Sequence, residues 1–135
     1  MHKSFYFIIV LFLLFSMNLG CSKSKKTGQD VVDILVIGYV EHGPLQPSVR
    51  TVKEIAEKYG DQVKLTIMNS LTKEGEKTMK KYKLDAHFNI LINGKYKYEI
   101  NGKEVVFQWF VEQGWTGNDL DTVIKNQIDA AKKKK

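Results

Sequence analysis

The stretch Val31-Val32-Asp33-Ile34-Leu35-Val36-Ile37-Gly38, followed at once by Tyr39-Val40-Glu41-His42-Gly43-Pro44-Leu45, decides how the rest of the chain is read. Its first part is a near-continuous, β-branched apolar run, the composition of a strand buried on both faces. Its second part opens a helix. Pro44 suits the first helical position, where its missing N–H has no partner to lose. Pro47 still falls in the first turn, where amides are unpaired anyway. Leu45, Val49, Val52, Ile55, Ala56 and Tyr59 then recur at spacings of three and four up to Gly60. That spacing is one apolar helix face, and Gly60 is its stop.

Further along, Val63 to Met68 alternates as a second strand, and Thr72 to Tyr82 reads as a weaker helix interrupted by Gly75, with Met79 and Tyr82 on one side. Two Asn-Gly pairs follow, Asn93-Gly94 and Asn101-Gly102, each flanked by strand-like residues. Asn-Gly is the strongest short hairpin signal, because both turn positions need positive φ. These pairs divide His87 to Ile92, Tyr96 to Ile100 and Glu104 to Phe110 into an antiparallel meander. Thr116-Gly117-Asn118-Asp119 carries a capping-box pattern, and Leu120, Val123, Ile124 and Ile128 supply the stripe of a last helix. The predicted order is β-α-β-α-β-β-β-α, an α/β domain whose early βαβ unit implies a right-handed parallel crossover and whose hairpins make the sheet mixed.

The two ends of the chain differ in kind from this middle. His2 and Lys3 precede an uncharged apolar run, Phe5 to Phe15, and Ser16-Met17-Asn18-Leu19-Gly20-Cys21 closes the segment. A basic start, a short apolar centre and a small residue before the cut are the marks of a secretory leader. The run is short for a membrane span, which needs ~20 apolar residues, although an uncleaved signal anchor is the alternative. Gly20-Cys21 resembles the lipobox of bacterial lipoproteins, in which the cysteine becomes the first mature residue and carries lipid on its sulfur. The chain departs from that pattern at Asn18, where leucine is usual, and at Leu19, where a small residue is usual. Cys21 is nevertheless the only cysteine in the sequence.

These readings divide the chain into a leader over 1–20, a polar basic tether over 21–29, one domain over 30–131 and a lysine tail over 132–135. Lipidation at Cys21 would place the domain outside the cytoplasm, in the bacterial cell envelope and anchored to a lipid membrane. The formal charge of +6 lies at the ends, because Lys3, Lys23, Lys25, Lys26 and Lys132 to Lys135 carry eight positives. Between Thr27 and Ala131 there remain 13 basic against 15 acidic residues. A nucleic-acid partner is not expected, since such binders carry clustered basic charge on the folded part. Lysine tails could instead lie against anionic headgroups, or serve only solubility.

The order of elements, together with Val40-Glu41-His42-Gly43-Pro44-Leu45, Ile55-Ala56-Glu57-Lys58-Tyr59 and Lys81 to Asn89, resembles the thioredoxin-like superfamily over about Val31 to Ile128. The resemblance implies that His42 and Leu45 stand at the two cysteine positions of the family's CxxC, with Gly43-Pro44 between them. It implies that Phe88 stands where a cis-proline is usual. Dithiol–disulfide exchange needs an attacking thiolate and a resolving thiol, so no such oxidoreductase activity is expected of this chain. In the same register His42 and His87 meet at one cleft with Gly43, Pro44, Leu45 and Phe88, flanked by Glu41 and Asn89.

That cleft leads to two expectations of different class. One is a non-redox binding module, with no catalytic residue, that engages a protein or small ligand. The other is a metal-handling or enzymatic protein using His42 and His87 for Zn²⁺ or Cu²⁺. Two distant histidines more often share nothing, and a transition-metal site normally needs three or four ligands. Among the aromatics Phe107, Trp109, Phe110 and Trp115, most are expected in the core. An exposed member, Trp109 or Trp115, is a candidate partner anchor.

Overall fold

The computed structural model describes residues 31–134. The leader, Cys21, the tether and Lys135 lie outside the described residues. Strand β1 (Val32–Gly38) is central, with β2 (Val63–Asn69) parallel on one side and β3 (Phe88–Ile92) antiparallel on the other. The sheet is therefore mixed, but the antiparallel β3 makes it so and not the hairpins that the sequence pointed to.

Between β1 and β2 runs a 3₁₀ turn, Gly43–Leu45, that leads into helix α1 (Gln46–Tyr59). Both prolines sit where the backbone needs no donor, Pro44 inside the 3₁₀ turn and Pro47 in the first turn of α1. Gly60 ends the helix at φ +50°, a conformation glycine adopts without a Cβ penalty. Helix α2 (Lys73–Tyr82) follows β2 and is capped by Thr72, whose hydroxyl accepts from the Gly75 amide at 3.0 Å. Gly75 is no lapse of helix propensity. A Cβ there would lie 2.1 Å from the Asn69 carbonyl oxygen, so the helix can approach the end of β2 only without a side chain.

Alternation along the strands divides the interior. Val32, Ile34 and Val36 of β1 face the same side as Phe88, Ile90 and Ile92 of β3. There they pack under α1 and the last helix, α3 (Gly117–Lys132), which supplies Leu120, Val123, Ile124 and Ile128. Ile37 and Leu91 face the opposite side, with Leu84 and the partly buried Leu35, Met68, Met79, Tyr82 and Tyr96. This second layer is thinner, and β1 is not enclosed on both faces throughout as its sequence suggests. Asp33 is exposed and Leu35 only half-buried, because the ten residues of α2 cover one end of the sheet. Strand β2 lies at the edge and buries none of its side chains fully.

Both Asn-Gly pairs form two-residue turns. Asn93 and Gly94 have φ +49° and +78°, Asn101 and Gly102 φ +51° and +78°, the signs of the primed turns that match strand twist. The meander nevertheless breaks where the sequence shows no break. Strands β4 (Lys97–Ile100) and β5 (Lys103–Val106) form a separate two-stranded ribbon, and isolated bridges at Ile92–Lys95 and Asn89–Gln108 join its flanks to β3. The segment expected to run as one strand to Phe110 leaves β4 after Phe107 and returns beside β3. The Ile90 amide donates to the Phe107 carbonyl at 2.9 Å, and the Trp109 amide to the Phe88 carbonyl at 3.0 Å. Thr116 then caps α3 in a reciprocal box with Asp119.

Candidate functional site

The C-terminal end of β1, the 3₁₀ turn and the start of β3 converge at one end of the sheet. Gly38 makes that convergence possible. A Cβ on it would stand 2.3 Å from the His87 carbonyl oxygen and 2.8 Å from the Phe88 Cα. With no Cβ in the way, the Tyr39 amide donates to that same His87 carbonyl at 3.0 Å. The chain then turns, with the His42 amide donating to the Tyr39 carbonyl and the Leu45 amide to the His42 carbonyl, both at 2.9 Å.

Above this end lies a cleft of about 270 Å³. Leu45, Phe88 and Phe110 line it with apolar surface, and Tyr39, His42, His87 and Trp109 complete the lining. His42 and His87, 45 residues apart in sequence, thus border one cavity. Their rings are engaged with aromatic neighbours. The His42 imidazole lies flat on Tyr39, centroids 5.4 Å apart and planes within 2°. The His87 imidazole meets Trp109 edge to face, at 5.9 Å and 73°.

Of the other residues singled out from the sequence, Leu45 and Phe88 line the cavity, whereas Gly43 and Pro44 lie exposed outside its lining. Asn89 does not flank the histidines. Adjacent residues of a strand point to opposite faces, so with Phe88 on the cleft side Asn89 turns inward and is fully buried. Its amide donates to the carbonyls of Ala86 at 2.8 Å and Ile37 at 3.3 Å, and its oxygen accepts from Gln108 at 2.8 Å. It fastens the entry of β3 from beneath. Tyr39 and Phe110 were not singled out as cleft residues. The signal for Tyr39 was its place directly after the central strand. For Phe110 there was none, since its position depends on the break after Phe107.

The two tryptophans part company. Trp115 is 1% exposed and packs in the main core against Phe107, so it offers no surface to a partner. Trp109 is 49% exposed and stands at the cleft. Its backbone has φ +66°, and that of Glu112 has φ +67°, values that cost a bulky L-residue ~1–3 kcal/mol. The loop is held in this shape from several sides. The buried Ser48 hydroxyl of α1 accepts from the Val111 amide at 2.9 Å. The Trp115 indole donates to the Trp109 carbonyl at 3.4 Å, and the Glu112 amide to the Trp115 carbonyl at 2.8 Å.

A metal is a poor fit to these residues. Among the described residues no three or more His, Cys, Asp or Glu side chains are grouped as ligands, and Zn²⁺ or Cu²⁺ held by protein needs three or four. Two imidazoles packed on aromatic rings do not supply that set.

No family model and no curated protein matches the chain. Solved structures do. The chain is similar to chloroplastic thioredoxin z, with a TM-score of 0.52 and 17% identity over 75% of this chain and 80% of that one. It is also similar to a structure described as a malarial protein, with a TM-score of 0.50 and 14% identity over 73% of this chain and 98% of that one. At such identities the likeness speaks of the fold alone. It makes this a mixed α/β domain of thioredoxin-like fold.

Proposed function

We propose that this protein is a lipid-anchored, extracytoplasmic binding module, a thioredoxin-like chain without dithiol chemistry that engages its ligand through the cleft between His42 and His87. The observation that carries the reading is the strained, half-exposed Trp109 standing over an apolar cavity. Backbone strain held by surrounding bonds is characteristic of binding and switch regions, and exposed tryptophan is enriched where partners anchor. In the thioredoxin register the same cavity takes the place of the redox centre, with His42 and Leu45 at the cysteine positions. Cys21, the only cysteine, would carry lipid as a thioether and leave no free thiol for exchange. The metal-handling alternative has less support, because among the described residues the cavity is lined by two imidazoles and by no third His, Cys, Asp or Glu.

The test combines address and binding. Cys21→Ser should abolish lipid labelling and release the domain from the membrane fraction. Retention of that variant in unprocessed form would favour a signal anchor. Purified protein should show no turnover in an insulin-reduction assay. Chemical shifts of the Trp109 indole and both imidazoles should move together when a ligand from a peptide and metabolite panel is added. Ligand-induced shifts confined to residues remote from the cleft would refute the assignment of the site.

A further inference from the structure

The chemistry of the cleft also restricts what it can take. Six of its seven lining side chains are aromatic and the seventh is Leu45. Among the described residues no lysine or arginine lines it, and none occurs within three residues along the chain of any lining position. Carboxylates do occur there. Glu41 precedes His42, Asp85 lies two residues before His87 and Glu112 two after Phe110, and all three are exposed. An anion would thus find no permanently charged partner there, and a neutral polar ligand would find little beyond the two imidazoles and the Tyr39 hydroxyl for its hydrogen bonds.

Aromatic faces carry the negative side of a quadrupole and attract cations, indole most strongly. A small, heavily hydrated cation would lose its water in such a cavity without replacement. An ammonium nitrogen covered with alkyl groups avoids that loss, because its surface is apolar and its charge is diffuse. The size agrees, since about 270 Å³ is below the ~300–1,000 Å³ of sites that enclose a drug-sized molecule. We propose that the cleft binds a small peralkylated ammonium group, with the rings of Trp109 and Tyr39 as its principal contacts. This rests on the reading of the cleft as the ligand site. It also gives the strained backbone at Trp109 a task, which is to hold the best cation-attracting ring at the cavity.

The experiment compares choline with the uncharged alcohol in which carbon replaces its nitrogen, each titrated calorimetrically into the full-length protein. The two probes share shape and differ in charge. Choline should bind about three-fold more tightly or better, and Trp109→Leu should remove the difference while leaving thermal unfolding cooperative. Tyr39→Leu, remote in sequence from the strained loop, should reduce the preference as well. Equal binding of the two probes overturns recognition of charge and leaves the cleft as a site for neutral apolar ligands. Binding of neither at millimolar concentration overturns this inference, while the cleft as the ligand site is decided separately by the shifts of the Trp109 indole and the imidazoles with the peptide and metabolite panel.

Discussion

Gly38→Ala puts the geometry of the site to its most direct test. The added methyl would lie 2.3 Å from the His87 carbonyl oxygen, about 1 Å short of the 3.4 Å at which ordinary contact begins. The obstacle is backbone, not a flexible side chain, and that carbonyl already accepts from the Tyr39 amide at 3.0 Å. Relief requires β3 to move away from β1 at Phe88, which opens the first pair of the Gly38–Phe88 register. Overpacking against a side-chain core costs ~1–3 kcal/mol, and a backbone obstacle belongs at the upper end. For a domain of this size ~1 kcal/mol corresponds to ~4–8 °C in Tm, so a fall of roughly 12–24 °C is expected. Thermal unfolding by circular dichroism measures it, with Gly43→Ala as the comparison. Among the described residues no atom lies within 4 Å of a Cβ at Gly43, and that variant should keep the wild-type Tm or exceed it slightly. The displacement carries His87 with it, so the imidazole and Trp109 indole resonances should shift in Gly38→Ala. A Tm within ~4 °C of wild type, about 1 kcal/mol, would refute the claimed close approach.

Two further outcomes follow from the polar contacts. Ser48→Ala leaves the Val111 amide without its acceptor and should cost ~1–3 kcal/mol. Amide exchange at Val111 should quicken, and unchanged exchange would show that the loop carrying Trp109 is held by other means. Tyr98 donates its hydroxyl to the Ile92 carbonyl, and burial pushes its pKa from 10.0 up to about 12. Because the folded value is raised, its contribution to stability is complete below pH 10 and is lost as pH rises from about 10 through about 12. Tyr98→Phe should be less stable than wild type at pH 8, and the gap should narrow across that window. A spectrophotometric titration in which every phenol ionises near 10 would contradict the burial.

Much of the architecture was legible because it depends on local chemistry. The Pro-containing entry to α1, the Gly60 stop, the Thr116–Asp119 box and both Asn-Gly turns are requirements of backbone geometry within a few residues. The apolar run marked β1 as an interior strand, and periodicity marked the stripes of α1 and α3. The proposed address, with a leader that closes at Cys21, is read from the sequence alone and lies outside the described residues.

What only the tertiary structure decided are relations between distant segments. Trp109 and Trp115 look alike in sequence, yet one stands at the cleft and the other in the core. The difference arises where the chain leaves β4 after Phe107, takes positive φ at Trp109 and is tied to Ser48 of α1. The cavity shared by His42 and His87, the inward turn of Asn89 and the requirement for glycine at 38 and 75 have the same origin. Each depends on how closely two backbones from separate parts of the chain pack. A residue's own neighbours encode its preferred conformation, but the steric limit set by a strand fifty residues away exists only once the sheet has formed.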